Sequence, residues 1–244
     1  MGGLTVSSPS AGVLDVELDR TPDNLMTVPL CTRLTELLLR PPECAHVLRL
    51  RSVGEVFCLG RERPAASAGE LRGETEALVE LHRALRTTEL VTIAQVHGHA
   101  AGFGVGMIAA CDVAVATEDA RFWFPEVDID LAPAIVLAWL PKIVGEREAF
   151  WLAASGERIS AAKAKRLGLV NEVVADRAAL CDEVERRVAA LRAHSPRVHT
   201  EIKEMLRLTR VVDEDTALAA SVDRLVVAAL RRAEGKAEEH GRRG

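Results

Sequence analysis

Three short stretches of the 244-residue chain hold residue types that can do chemistry. Residues 97–112 read HGHAAGFGVGMIAACD, with glycines at 98, 102, 104 and 106 in an otherwise apolar run. Glycine lets backbone approach a ligand closely, and N–H groups left unpaired at a helix start can point at it. Such donors suit a phosphate or a developing oxyanion. Residues 57–64, FCLGRERP, again end a strand-like run in a glycine, Gly60. One N–H from each stretch, meeting at one oxygen, would form an oxyanion hole. The alternative is that these glycines serve only close helix–sheet packing. The third stretch is FWFPEVDID at 122–130, where Glu126 follows a proline and lies among Phe122, Trp123 and Phe124. Apolar surroundings disfavour the charged carboxylate and raise its pKa from about 4.3, which makes a glutamate a usable acid–base group. An exposed glutamate in a turn is the competing reading. Asp128 and Asp130 alternate with Val127 and Ile129 and are expected to face solvent or cap the next helix.

Other chemistries fit less well. The glycine spacing is GxxxGxGxG, which does not match the dinucleotide fingerprint GxGxxG, and no Gly-Lys-Ser/Thr follows it as a Walker loop requires. His97 and His99 would share one side of a strand, but no third ligand accompanies them, so no metal is expected. Cys58 has no base nearby in the sequence and reads as a small buried residue rather than a nucleophile.

The elements that must position these residues alternate in type. VLDVELD (13–19) has the period of a half-buried strand, and TPDN (21–24) is a turn. Leucines at helical spacing over 29–39 predict a helix, ended by Pro41 and Pro42. Strands follow at 46–53 and 55–60, an amphipathic helix at 70–86, and a buried strand at 91–96. Strands are also expected at 112–117, 119–124 and 169–174, with helices at 134–144 and 146–155. Residues 158–168 read as a helix capped by Ser160 and stopped by Gly168. Beyond about residue 175 the chain is helical and rich in Arg and Glu, at 176–193, 197–210 and 214–234. No fixed-period sequence repeat is evident.

Composition narrows the class. The chain is 48% hydrophobic and 27% charged with a net charge of −5, so no basic excess points to nucleic acid. Five cysteines without a CxxC pair suit a reducing, cytoplasmic setting. The first twenty residues lack the pattern of a signal peptide, and Gly2 and Ser7 miss the lipidation spacing. Residues 100–116 and 129–145 are apolar windows, but their glycines, prolines and charges read as buried elements rather than membrane spans.

Together these stretches resemble the enoyl-CoA hydratase/isomerase family, the crotonase superfamily. VTIAQVHGHAAGFGVGMIAACDVAVATEDARFWFPEV (91–127) is similar to the family pattern A-x-V-x-G-x-A-x-G-G-G-x-E-L-x-x-x-C-D followed by A-x-F-x-x-P-E. FCLGRE resembles F-C-A-G-x-D, and SGERISAAKAKRLGLVNEVV resembles T-G-x-x-I-x-A-x-x-A-x-x-x-G-L-V. The resemblance implies an α/β fold: a spiral core of ββα units over 1–175 and a C-terminal helical region, 176–244, that builds a trimer or a dimer of trimers. It implies an acyl-CoA substrate, with CoA as part of the substrate and no further cofactor. The thioester oxygen would sit between the backbone N–H groups of Arg61 and Phe103, with Cys58, Leu59, Gly60, Gly102, Gly104 and Gly106 around the substrate.

Departures from the family pattern carry the functional expectation. Hydratases of the family use two glutamates; Glu126 matches one, but Gly106 stands where the other falls. Phe103 replaces the middle glycine of the triplet and brings a ring toward the acyl chain. PAIVLAWLP (133–141) replaces the usual P-G-A-G-G turn, and Ala134 occupies the place of the extra aspartate of dienoyl-type isomerases. Single-glutamate Δ3,Δ2-enoyl-CoA isomerisation with weak or no hydration is therefore the leading expectation. The alternatives are a specialised crotonase-fold decarboxylase or C–C lyase, and a catalytically weak acyl-CoA-binding homologue. Arg61 and Arg63 are candidate contacts for pantetheine or phosphate, or else plain surface charge; Arg20 and Asp23 flank the expected CoA adenine site.

Overall fold

The computed structural model describes residues 3–241; Met1, Gly2 and the last three residues of the tail lie outside them. The chain divides into two compact units, Met1–Pro196 and Arg197–Gly244. The first begins with β1 (Leu4–Ser10) and β2 (Val13–Leu18), an antiparallel pair. After α1 (Val28–Leu39) come β3 (Val47–Ser52), β4 (Val56–Cys58) and α2 (Ala68–Thr87). The same order then repeats with β5 (Val91–Val96), β6 (His99–Ala101) and α3 (Phe103–Ala110). It begins a third time with β7 (Val113–Thr117) and β8 (Arg121–Trp123).

Each repeat places its first strand in one sheet and its second in another. The six-stranded sheet runs β1-β2-β3-β5-β7 and ends on β10 (Glu172–Val174); β4, β6 and β8 line up in the four-stranded sheet. Stacked strands are parallel, β3 on β5 on β7 and β4 on β6 on β8, so the chain climbs as a spiral of ββα turns. The repeat is invisible as a sequence period because its helices differ in length: α2 has 20 residues and α3 has 8. Short helices follow β8: α4 (Ala134–Leu137), α5 (Pro141–Val144) and α6 (Glu146–Ser155). Next come β9 (Ile159–Ser160) and α7 (Ala161–Arg166), whose N-cap is Ser160, accepting from the Lys163 N–H at 3.2 Å.

α3 sits at the centre. Seven of its eight residues are buried, so it is apolar on every side, as a helix enclosed by other elements must be. Its exit is fixed by Asp112, whose carboxylate accepts from the Thr92 N–H at 2.8 Å and hydroxyl at 2.9 Å. The large sheet is covered on both faces. α8 (Arg177–Arg192) lays Leu180, Val184 and Val188 against Val13, Val47, Ile93 and Val115. The change of class near residue 175 is thus not where the chain divides, because α8 closes the sheet of the first unit. The second unit contains most of α9 (Pro196–Leu208) and all of α10 (Glu214–Gly241), joined by an Arg224–Glu204 ion pair at 2.7 Å. Among the described residues no helix is long and apolar enough to cross a membrane.

Candidate active site

The two glycine stretches meet. At the end of β4 the chain runs beside residues 23–26, held by backbone bonds Leu59 N to Asp23 O, Met26 N to Gly60 O and Glu62 N to Met26 O, each 2.9 Å. Asn24 locks that neighbouring turn by donating to the carbonyls of Val53 and Val56. These bonds leave the Arg61 N–H without a backbone acceptor among the described residues. The Phe103 N–H is likewise free, because it opens α3 and has no helical acceptor before it.

Glycine is needed at two positions for different reasons. Gly102 has φ 49° and ψ −116°, a region L side chains avoid, and a Cβ there would lie 2.8 Å from Glu126 Oε1. At Gly104 a Cβ would lie 2.1 Å from the Cys58 carbonyl oxygen, so only glycine lets α3 press onto β4. Gly106 is under neither constraint: a Cβ would meet only Trp139 Cζ2 at 3.7 Å and Phe103 Cδ2 at 4.0 Å. Gly106→Ala is therefore expected to raise stability by about 0.5–1 kcal/mol, as for alanine replacing glycine inside a helix. Chemical denaturation measures this, and a loss of stability would contradict the open space.

Gly60, Arg61, Gly102, Phe103, Gly106 and Glu126 line one cavity of about 490 Å³. Leu59 lines it too, whereas Cys58 and Gly104, expected beside the substrate, do not: they press on each other behind its wall. The Cys58 thiol is fully buried and its Sγ lies 3.3 Å from the Gly60 carbonyl oxygen; burial pushes its pKa up to about 12, so it is no nucleophile near neutral pH. Phe103 forms part of the wall and leaves the space beside Gly106 open.

Glu126 stands on a 3₁₀ turn, Pro125–Ile129, directly after β8, with Phe122 and Phe124 buried beneath. Its Oε2 is buried with no hydrogen-bond partner among the described residues. Desolvation raises its pKa above the ordinary 4.5, opposed by its own backbone N–H and by Arg63 and Arg61. The sign of the linkage follows. A carboxyl whose folded pKa is raised contributes stability that is present at low pH and lost as pH rises through that pKa. Glu126→Gln should therefore be the more stable protein near neutral pH, the difference closing as pH falls toward 4.5. Urea denaturation at several pH values tests this; a variant less stable than the parent at neutral pH would contradict it.

The arginines divide. The Arg61 guanidinium is taken by Glu74 at 3.0 Å, leaving its backbone for the cavity. Arg20 donates to the Leu25 carbonyl and pairs with Glu62 at 2.5 Å, so it is tied into the turn rather than offered to a phosphate. Arg63 is exposed at the cavity. Asp128 and Asp130 are exposed, and Ala134 is exposed outside the lining. His97 bonds the Gly54 carbonyl and His99 packs edge-on against Trp123, so the two have separate partners. The sequence reading missed His82 and Trp139, which line the cavity from α2 and from the turn after α4. Trp139 lies in the very stretch that departs from the family turn; His82 offers only its helical spacing from Leu78 as a signal.

Residues 8–235 match the family model for enoyl-CoA hydratase/isomerase. The chain belongs to the enoyl-CoA hydratase/isomerase family. This family member is 31% identical over 232 residues to a mevalonyl-coenzyme A hydratase of Aspergillus fumigatus, covering 91% of this chain and 84% of that one. It is 32% identical over 170 residues to a peroxisomal Δ(3,5)-Δ(2,4)-dienoyl-CoA isomerase of Arabidopsis thaliana, a match over 69% of this chain and 61% of that protein's length. In structure it is similar to an enoyl-CoA hydratase of Mycobacterium smegmatis, with a TM-score of 0.87, 28% identity, and coverage of 93% and 91% of the two chains. The crotonase-like fold expected of an enoyl-CoA hydratase/isomerase family member is thus the fold found.

Proposed function

We propose that this protein isomerises an enoyl-CoA thioester, moving a C3=C4 double bond to C2=C3. The observation that carries this reading is Glu126: a half-buried carboxylate with a raised pKa, against the start of α3, in a cavity where Gly106 supplies no second acid. The ionised carboxylate takes a proton from C2. The electron pair passes into the thioester and leaves a dienolate oxygen negative. The N–H groups of Arg61 and Phe103 hold that oxygen, and the α3 N-terminus adds its dipole. Protonated Glu126 then delivers its proton to C4, which restores the carboxylate and the thioester carbonyl. Hydration through Glu126 alone is expected to be weak, because a water must be held as well as deprotonated. The family match and the hydratase and isomerase relatives support a CoA thioester as substrate.

The test is conversion of a 3-enoyl-CoA to the conjugated 2-enoyl-CoA by the purified protein. Turnover is expected. Tight binding of the thioester without turnover would overturn the isomerase reading and favour the acyl-CoA-binding one. Assembly as a trimer or a dimer of trimers is part of the proposal, supported by Leu218, Val222, Leu225 and Leu230, all exposed along α10. Light scattering on the purified protein checks it, and a monomer would contradict it.

A further inference from the structure

The space beside Gly106 is not empty of chemistry. His82, on α2, lines the same cavity as Gly106 and Glu126. The Gly106 carbonyl acts on the ring and raises its pKa against burial, and the ring stacks on Trp139 with centroids 5.9 Å apart and planes at 21°. The imidazole is thus held by an indole against one face. A neutral imidazole carries a proton on one nitrogen and keeps a lone pair on the other. Trp139 is held in turn by an edge contact from Phe124, two residues before Glu126.

We infer that His82 is the water-activating base of a second activity of this cavity, the hydration of a 2-enoyl thioester, standing in for the carboxylate that Gly106 lacks. The inference rests on the proposed ligand being an enoyl-CoA. As water adds, its oxygen bonds to C3 and its proton passes to the free nitrogen of His82. The C2=C3 electron pair moves to form the enolate, whose oxygen the Arg61 and Phe103 N–H groups hold. Protonated Glu126 gives its proton to C2 and the thioester re-forms. Imidazolium and carboxylate are left, and transfer of one proton through solvent resets the pair. Atoms and charge balance without a further reactant.

The surroundings suit this role. Burial lowers the His82 pKa below the ordinary 6.5, so the ring is neutral and basic at neutral pH. The ionisable groups sharing the cavity are Arg61, Glu62, Arg63 and Glu126. Arg61 is committed to Glu74 and Glu62 to Arg20. α3, packed on α2, brings no ionisable side chain; α1 brings the buried thiol of Cys31 and the exposed Arg33 and Glu36. On α2 itself the neighbours one turn away are Leu78 and Arg86.

The experiment measures two reactions, water addition to a 2-enoyl-CoA and isomerisation of a 3-enoyl-CoA, in the wild type, His82→Gln and His82→Phe. Glutamine keeps a donor and an acceptor but takes no proton. Both variants are expected to lose hydration by about 10²-fold or more in kcat while isomerisation stays within about threefold. In the wild type, hydration needs neutral His82 together with protonated Glu126 and should fall on both sides of a maximum, whereas isomerisation needs ionised Glu126 and should fall only on the acid side. That profile needs no variant and stands if a substitution fails to fold. A wild type that isomerises but does not hydrate overturns the inference and leaves the proposed function intact. Equal loss of both reactions in the two variants also overturns it, since His82 would then be holding α3 in place. Absence of both reactions in the wild type overturns the proposed function, and this inference with it.

Discussion

Replacing Glu126 with Gln is expected to lower turnover of a 3-enoyl-CoA by about 10²–10⁴, with little change in thioester affinity. Gln has the shape of Glu and fits the same place against Gly102, where the carboxylate comes within 2.8 Å of the space a Cβ would take. The proposed oxyanion donors are backbone groups and do not change. Only the capacity to take and return a proton is removed. Because isomerisation needs both transfers from this group, kcat falls while the ground-state contacts stay. Steady-state rates with titration of a non-reacting acyl-CoA check this. Turnover within tenfold of the parent would show that another group carries the proton.

Replacing Gly104 with Ala should have a large effect of a different kind. The added methyl would meet the Cys58 carbonyl oxygen at 2.1 Å, its carbon at 2.9 Å and Cys58 Cβ at 3.0 Å. These are mostly backbone atoms of a buried strand, so relief requires α3 and β4 to part. Overpacking of a tight core costs about 1–3 kcal/mol, and melting should fall by several degrees. The movement separates the Arg61 and Phe103 N–H groups, since one follows β4 and the other opens α3. Losing one oxyanion donor costs about 10²–10³ in kcat, so activity should drop even where the variant remains folded. Thermal denaturation and kcat measured together test this, with Gly106→Ala as the control that meets only ordinary contacts. A Gly104→Ala protein as stable and active as the parent would contradict the packing described.

The strands of the large sheet were legible where they are long and apolar, as in β5, every residue of which is buried. β2 was found but its environment was misjudged. Alternating acids in VLDVELD suggested one face in water, yet Asp15 is only 3% exposed and sits in a two-bond pair with Arg49 at 2.7 and 2.6 Å. A buried ion pair looks polar in sequence, and α8 covers that face. β1 was missed because it holds few apolar residues and is held as a strand by pairing with β2. β6 and β9 have 3 and 2 residues, too few to show a period. Ser160 was read correctly as a cap because capping is local, whereas the strand it ends depends on β8.

The site divides along the same line. Glu126 and the glycines stood out because their chemistry depends on neighbours in the chain. That Gly104 faces Cys58 rather than ligand depends on a contact across 46 positions of sequence, which spacing does not reveal. His82 and Trp139 enter the cavity from separate helical segments and carry no local motif.

The central claim is that one carboxylate moves the proton in isomerisation. Turnover of a 3-enoyl-CoA in D₂O, followed by NMR, tests it most directly. A single carboxylate whose Oε2 is closed off should carry the C2 proton to C4, so in a substantial fraction of early product molecules the hydrogen added at C4 should be protium, leaving C4 free of deuterium. One deuterium at C4 in every product molecule from the first turnovers, or a bound thioester that does not react, would contradict it.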